Sequence, residues 1–266
     1  NKIKIKVNIK INKRLSTAKI DFTGTSIFHN GNFNAPNSIA TAAILYVFRT
    51  LVEDDIPLNS GCLKPIKIII PKISILNPKY PSAVVAGNVE TSQNITDALF
   101  SALKVLANSQ GTMNNFTFGN ESFQYYETIA GGSGAGRGFH GSSGIQTHMT
   151  NTKITDPEIL EINFPIILDK HYIRYGSRGN GKWKGGNGII RKLIFLEEMY
   201  ASILGSHRIT QPNGILGGCK GKSGKNWVLR KNGYIESNND GLWTTKMFPG
   251  DAFIIETPGG GGYGKI

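Results

Sequence analysis

Apolar and polar residues alternate from the start of the chain. Ile3, Ile5, Val7, Ile9 and Ile11 face one way across residues 2–14 and the lysines between them the other, which predicts a half-buried strand with a charged outer face. Residues 18–22 predict a second short strand, closed by a turn-rich stretch over 23–34. The period then becomes helical. Ile39, Ala43, Ile44, Val47, Phe48 and Leu51 recur at helical spacing up to the acidic residues 53–55, with Asn34 expected as the cap and Pro36 in the first turn. A strand over 66–70 and a short extended piece over 82–86 follow. Ile95, Ala98, Leu99, Ala102, Leu103 and Leu106 then mark a second helix over 91–108, with Thr91 or Ser92 as its cap.

Past Gln110 the pattern changes to short β runs at 113–118, 123–129, 145–149, 172–175, 189–195, 201–204 and 253–256. Glycine-rich connections separate them at 131–144, 176–188, 214–224 and 259–264. The expected fold class is α+β: a β-rich mixed fold with two amphipathic scaffold helices in the first half and a glycine-rich, mainly β second half. No internal repeat or linker divides the chain, and a sub-boundary is expected near residue 165.

With 266 residues, 39% of them hydrophobic, the chain is long enough to bury a substantial core. Its net charge of +12 raises the question of nucleic acid, but the 22 lysines and 8 arginines are scattered, and the densest basic run is the alternating strand 2–14. No nucleic-acid partner is expected. No stretch approaches the roughly 20 apolar residues of a membrane helix, and no signal-peptide core opens the chain, so a cytoplasmic location away from membranes is expected. Cys62 and Cys219 lie far apart, without Cys or His neighbours at ligand spacing, and read as two reduced thiols rather than a disulfide or zinc site. The chain starts at Asn1, not Met, directly in a strand, and is expected to be a fragment of a longer protein.

The run Gly131-Gly132-Ser133-Gly134-Ala135-Gly136-Arg137-Gly138 invites comparison with a phosphate loop, yet it lacks the Gly-Lys-Ser/Thr that opens a helix. Gly136, Gly138 and Gly141, and again Gly259, Gly261 and Gly264, match the dinucleotide spacing formally, but no helix follows either set. Two readings remain for such glycine: close approach of backbone to a ligand or another chain, or tight β turns. No Gly-x-Ser-x-Gly elbow occurs, which leaves water as the nucleophile of any hydrolysis.

Chemistry-bearing side chains gather in four places. Glu90 lies in a polar run before the second helix, and Asn114 and Asn115 in another just after it, more polar groups than capping alone requires. Glu127 closes the aromatic strand Tyr125-Tyr126-Glu127-Thr128, where a carboxylate can be a base, a ligand or a surface group. His148 and Asn151 lie in Thr147-His148-Met149-Thr150-Asn151-Thr152, followed by Asp156. The imidazole can shuttle protons, with Asp156 to orient it, or serve as a hydrogen-bonded structural group.

Four motifs in order, Asp21-Phe22-Thr23-Gly24-Thr25-Ser26, Gly87-Asn88-Val89-Glu90-Thr91-Ser92-Gln93, Ser109-Gln110-Gly111-Thr112-Met113-Asn114-Asn115 and Tyr125-Tyr126-Glu127-Thr128-Ile129, resemble the hydantoinase B/oxoprolinase family. The resemblance continues through residues 147–152 and 155–158 to the closing Thr257-Pro258-Gly259-Gly260-Gly261-Gly262-Tyr263-Gly264, so it covers essentially the whole chain, read as the C-terminal part of a B-type domain. It implies a component of an ATP-dependent cyclic amidase that opens 5-oxoproline to glutamate, or opens a hydantoin. ATP with magnesium would sit on an A-type partner subunit or domain, which phosphorylates the amide. The other implied partners are the N-terminal half of the B-type protein, which is the place for any divalent metal, and a small cyclic amide. The implied catalytic set is Glu90, Asn114, Asn115, Glu127, His148, Asn151 and Asp156. An acetone carboxylase-like component and a noncatalytic remnant are the alternative readings, and this chain alone is expected to be inactive.

Overall fold

The opening alternation becomes β1 (Asn8–Asn12), which pairs antiparallel with β2 (Thr17–Asp21), while β2 runs parallel to β3 (Ile66–Ile69). The computed structural model describes residues 3–238 and 240–266; Asn1 and Lys2, where the first predicted strand begins, and Asn239 lie outside the described residues. Contacts divide the chain into two units, Asn1–Val105 and Leu106–Ile266. The position near 165 falls inside the second unit.

In the first unit, Ile5, Val7 and Ile9 are half-buried, as alternation requires, whereas Ile3 and Ile11 remain exposed. Helix α1 (Asn37–Arg49) buries Ala40, Ala43, Ile44 and Val47, a stripe at the i, i+3, i+4, i+7 positions. Its start differs from the sequence reading. Pro36 is the N-cap residue and no side chain caps the helix. Asn34 is fully buried instead, accepting from the His29 amide (2.7 Å) and donating to the carbonyls of His29 (2.7 Å) and Ala83 (2.9 Å). A buried loop has no water to satisfy its backbone, so the amide side chain goes there rather than to an exposed helix end.

Helix α2 (Ser92–Leu103) continues directly from a π-helical turn, Gly87–Thr91, so neither Thr91 nor Ser92 caps it. Their hydroxyls donate to the carbonyls of Phe33 and Asn88. Lys104, with φ 58°, ends the helix before residue 108, and Leu106 opens the second unit. Val85 already begins the helical turn expected to be extended. Tyr46 of α1 meets Phe100 of α2 edge-on at 6.4 Å.

The second unit holds two antiparallel sheets. One has the order β10 (Ile235–Asn238), β9 (Lys225–Leu229), β12 (Ala252–Glu256), β7 (Ile189–Phe195), β6 (Ile166–Ile173). The other has the order β11 (Leu242–Met247), β8 (Met199–Leu204), β4 (Asn115–Gly119), β5 (Gln124–Glu127). Inward residues of both meet in one core. Phe116 lies 4.9 Å from Phe253, and Phe118 meets Phe195 edge-on at 5.6 Å. Helix α3 (Pro157–Asn163) precedes β6 and buries Leu160 in the same core. The strand expected over 145–149 reduces to a single bridge between Ile145 and Gly131. The mixed α+β class stands.

The glycine-rich stretches include a tight β turn at Gly136–Phe139, but for the most part they bring backbone against backbone within the chain itself. Segments around 107–109, 131–136, 177–186 and 213–222 surround the closing run at 258–264 and hydrogen-bond to it backbone to backbone. The bonding recurs every three residues. Gly259 and Gly262 donate to Lys222 and Cys219, Gly260 and Tyr263 donate to Gly186 and Trp183, and Pro258 and Gly261 accept from Gly132 and Ala135. A repeat of three is that of a polyproline II-type strand, whose successive groups point 120° apart to different neighbours. The lack of side chains is a requirement of space: a Cβ on Gly260 would lie 1.9 Å from the Ser133 oxygen, and one on Gly186 would lie 1.8 Å from the Ser142 oxygen. Collagen needs glycine at its crowded axis for the same reason.

Candidate functional site

The loop from Ser109 to Asn115 is buried throughout although nearly every side chain in it is polar. It is bolted in place on three sides. The Gln110 amide donates to Gly132 and Ser109 Oγ accepts from Gly134, which ties the loop to the glycine bundle. The Ile129 amide donates to the Met113 carbonyl, which ties it to the exit of β5. Thr112 Oγ1 accepts from the amides of Asn114 (3.0 Å) and Ser206 (3.1 Å), which ties it to the exit of β8.

Asn114 takes left-handed backbone (φ 46°), a conformation that asparagine tolerates better than most residues. Its Nδ2 donates to Gln110 Oε1 (2.7 Å) and to the Ile129 carbonyl (2.9 Å). Gln110 Nε2 and Asn114 Oδ1 are fully buried, and the protein offers no acceptor to the first and no donor to the second. Native interiors leave few such groups, and each calls for a function or a bound molecule. Here the pair presents one donor and one acceptor from adjoining amides. Gln110 is not among the expected site residues. Its place in the polar run is visible in sequence, but the unspent donor becomes apparent only when burial and partners are known.

Asn115, Glu127 and Asp156 have defined structural duties. Asn115 opens β4, donates from Nδ2 to the Leu204 carbonyl (2.9 Å) and accepts the Tyr126 hydroxyl (2.8 Å). Glu127 forms a two-point ion pair with Arg191, at 2.7 Å and 2.9 Å, and both side chains are almost fully buried. That pair joins β5 of one sheet to β7 of the other. Tyr125 donates to Glu127 Oε2 (3.0 Å), and burial, followed by the nearby carboxylate, pushes its hydroxyl up to about 12. His171, 3.4 Å from Arg191, has its pKa lowered by burial and then by that guanidinium.

Asp156 is the N-cap of α3 and accepts the Glu158 amide at 2.9 Å, with Pro157 opening the helix and Glu158 in its first turn. It does not orient His148, because its carboxylate is turned to the helix end. Asp156→Ala is expected to lower stability by about 1 kcal/mol. Urea melts would show this, and a loss well above that value would mean Asp156 has a second task.

His148 is half-exposed with φ 53°, in a turn closed by the Thr150 amide on the Thr147 carbonyl (3.1 Å). The segment is pinned on Thr128, which bonds the Thr152 hydroxyl and receives Gln146 Nε2 (3.0 Å). Consecutive residues thus collect the candidates: Glu127 holds Arg191, Thr128 holds the His148 segment, and Ile129 holds Asn114. Asn151 is exposed in irregular chain beside them. Glu90 belongs to the first unit, fully buried in the π-helical turn before α2, a geometry frequent at functional sites. Gly87 makes that turn possible, since a Cβ there would lie 2.4 Å from the Asn34 oxygen.

Neither glycine run is built as a phosphate loop. Every backbone amide from Gly131 to Gly136 already donates within the protein, as does every one from Gly259 to Gly264, so neither run has N–H groups left for phosphate. Among the described residues, no three or more His, Cys, Asp or Glu side chains are grouped to hold a metal ion, and no helix is long and apolar enough to cross a membrane.

The hydantoinase B/oxoprolinase family model matches residues 1–266. The chain belongs to that family. It is 48% identical over 98% of its length to a 5-oxoprolinase of Dictyostelium discoideum, and 46% identical over 99% to 5-oxoprolinase 1 of Arabidopsis thaliana. It spans only 21% and 20% of those proteins, matching their C-terminal part. The B component of a putative D-/L-hydantoinase from a Pseudomonas species is 28% identical over 98% of the chain, which spans 47% of that component. Two solved structures share the fold at low identity. Nucleotide-free acetone carboxylase has a TM-score of 0.86 with 19% identity, covering 97% of this chain and 41% of the other. An ATP-dependent caprolactamase from Pseudomonas jessenii has a TM-score of 0.81 with 18% identity, covering 98% and 48%.

Proposed function

We propose that this chain is the C-terminal B-type part of an ATP-dependent cyclic amide hydrolase, most specifically a 5-oxoprolinase that converts 5-oxo-L-proline, ATP and water into L-glutamate, ADP and phosphate. The observation that carries the reading is the identity of 46–48% to 5-oxoprolinases along essentially the whole chain. A resonance-stabilised amide is a poor electrophile, and phosphorylation of its oxygen would supply a leaving group. An A-type partner that binds ATP with magnesium would make that activated amide, and this chain with its preceding half would complete the hydrolysis. The spent amides of both glycine runs agree with a nucleotide site on another body.

Within this chain the pair Gln110 and Asn114 suits the substrate class. A ring forces its amide to be cis, so N–H and C=O lie on one side, and an unspent donor beside an unspent acceptor is their complement. His148, held in a turn and half-exposed, is the group of the second unit suited to move a proton.

The test is ATP-dependent glutamate formation from 5-oxoproline, by this chain alone and then with its preceding half and an A-type partner. Activity is expected only in the mixture. In that mixture His148→Ala should lower turnover about 100-fold or more with assembly unchanged. Demonstrated assembly without ring opening would overturn the reading, and bicarbonate-dependent ATP turnover on a ketone would replace it with the carboxylase alternative. A chain that binds neither body would be a remnant.

A further inference from the structure

We infer that an apolar groove in the first unit is the seat of the preceding half of the B-type protein; this rests on the function proposed above. The groove measures about 640 Å³ and lies among the end of β1, the second half of α1 and the chain leading into β3, with Ile11, Leu45, Phe48, Val52, Ile56 and Ile66 in its walls. Large apolar groups also stand outside it. Leu15 is 67% exposed, Leu58 71% and Leu51 44%. A pocket for a small apolar molecule would draw such side chains inward around its ligand. A groove with an apolar rim this broad is the mark of a macromolecular contact.

The size and attachment of the missing body select the occupant. The chain matches the C-terminal part of the 5-oxoprolinases and 47% of the hydantoinase component, so a B-type protein carries about as much chain again, ahead of the matched region. A body of that size has a radius of gyration of about 18 Å and is about 45 Å across. Ile3 and Ile11 are eight residues apart, at most about 29 Å along an extended chain. Residues 4–6 are held beside Thr25 and Ser26 by bonds from the Lys4 and Lys6 amides, so a body that precedes Ile3 starts within reach of the groove. The strand that would receive it, β1, is also the edge of its sheet, with one side unpaired in the order β1-β2-β3.

Cys62 lines the groove and provides the readout. In a Cys219→Ser background it is the only thiol, and maleimide should label it at least about tenfold more slowly once the preceding half is bound. Leu58→Asp combined with Ile11→Asp puts charge on two exposed positions, so the chain should melt as the parent does while binding of the half weakens about 100-fold. If the half binds but Cys62 keeps its free labelling rate, or the double variant binds as the parent does, the groove assignment is overturned and the proposed function is untouched. Protection of Cys62 that grows with the concentration of this chain alone would assign the groove to a second copy and overturn it too. Failure of the half to bind at all would overturn both.

Discussion

Gly260→Ala is expected to prevent the second unit from reaching its native state, with a loss of about 4 kcal/mol or more if any folded population remains. The added methyl would lie 1.9 Å from the Ser133 oxygen and 2.3 Å from its carbonyl carbon. Overpacked cores normally relieve such contacts by rotating side chains, at about 1–3 kcal/mol. This contact is backbone against backbone, and each segment that would have to retreat is bonded to the others. Gly233→Ala separates space from conformation: Gly233 has φ 86° but nothing within 4 Å of a built Cβ, so that change should cost only about 1–2 kcal/mol. Circular dichroism and urea melts of the two variants decide the matter. A Gly260→Ala protein as stable as Gly233→Ala would mean that the bundle can expand.

Breaking the ion pair between the sheets should come next in size. Glu127→Gln leaves the Arg191 guanidinium, only 1% exposed, without its counter-charge, at an expected cost of about 3–5 kcal/mol. Glu127→Leu combined with Arg191→Met removes both charges and should be far less destabilised than either single change, because the desolvation penalty goes with them. A thermodynamic cycle across the four proteins measures the coupling. Single variants as stable as the parent would show that water reaches the pair. The same set bears on function, since a merely structural Glu127 predicts that the double variant, assembled with its partners, regains most of the lost turnover.

Much of this architecture is legible in the order of residues, and the exceptions have identifiable causes. The amphipathic stripe of α1 is visible because it buries one face, whereas α2 is buried nearly all round, Gln93, Thr96 and Asp97 included, and Ala102 of its expected stripe is exposed. Strands β9, β10 and β11 escape notice because Trp227, Glu236 and Trp243 sit among lysine, asparagine and threonine, and burial does not follow polarity in them: β10 exposes Ile235 and half-buries Glu236, and β9 buries Asn226 beside Val228. Helix α3 is hidden for another reason. Asp156-Pro157-Glu158 is a helix start by residue type, yet its carboxylates suggest chemistry as readily. At the site, sequence locates the polar loop and the His148 segment, but not which groups are already bonded. Only the fold shows that Glu127 and Asp156 are engaged while Gln110 and Asn114 keep a donor and an acceptor in reserve.

The threefold bonding of the closing glycine run gives it something like a reading frame. Deleting one residue between Pro258 and Tyr263 would carry Tyr263 a third of a revolution round into the place of Gly262, where a Cβ would lie 2.2 Å from the Asn180 oxygen. Removal of three would restore its direction but set it in the place of Gly260, where a Cβ would lie 1.9 Å from the Ser133 oxygen. Ordinary loops drift in length freely as sequences diverge, whereas here the side chain of Tyr263 fixes the frame, so the length of the segment is held as firmly as its composition.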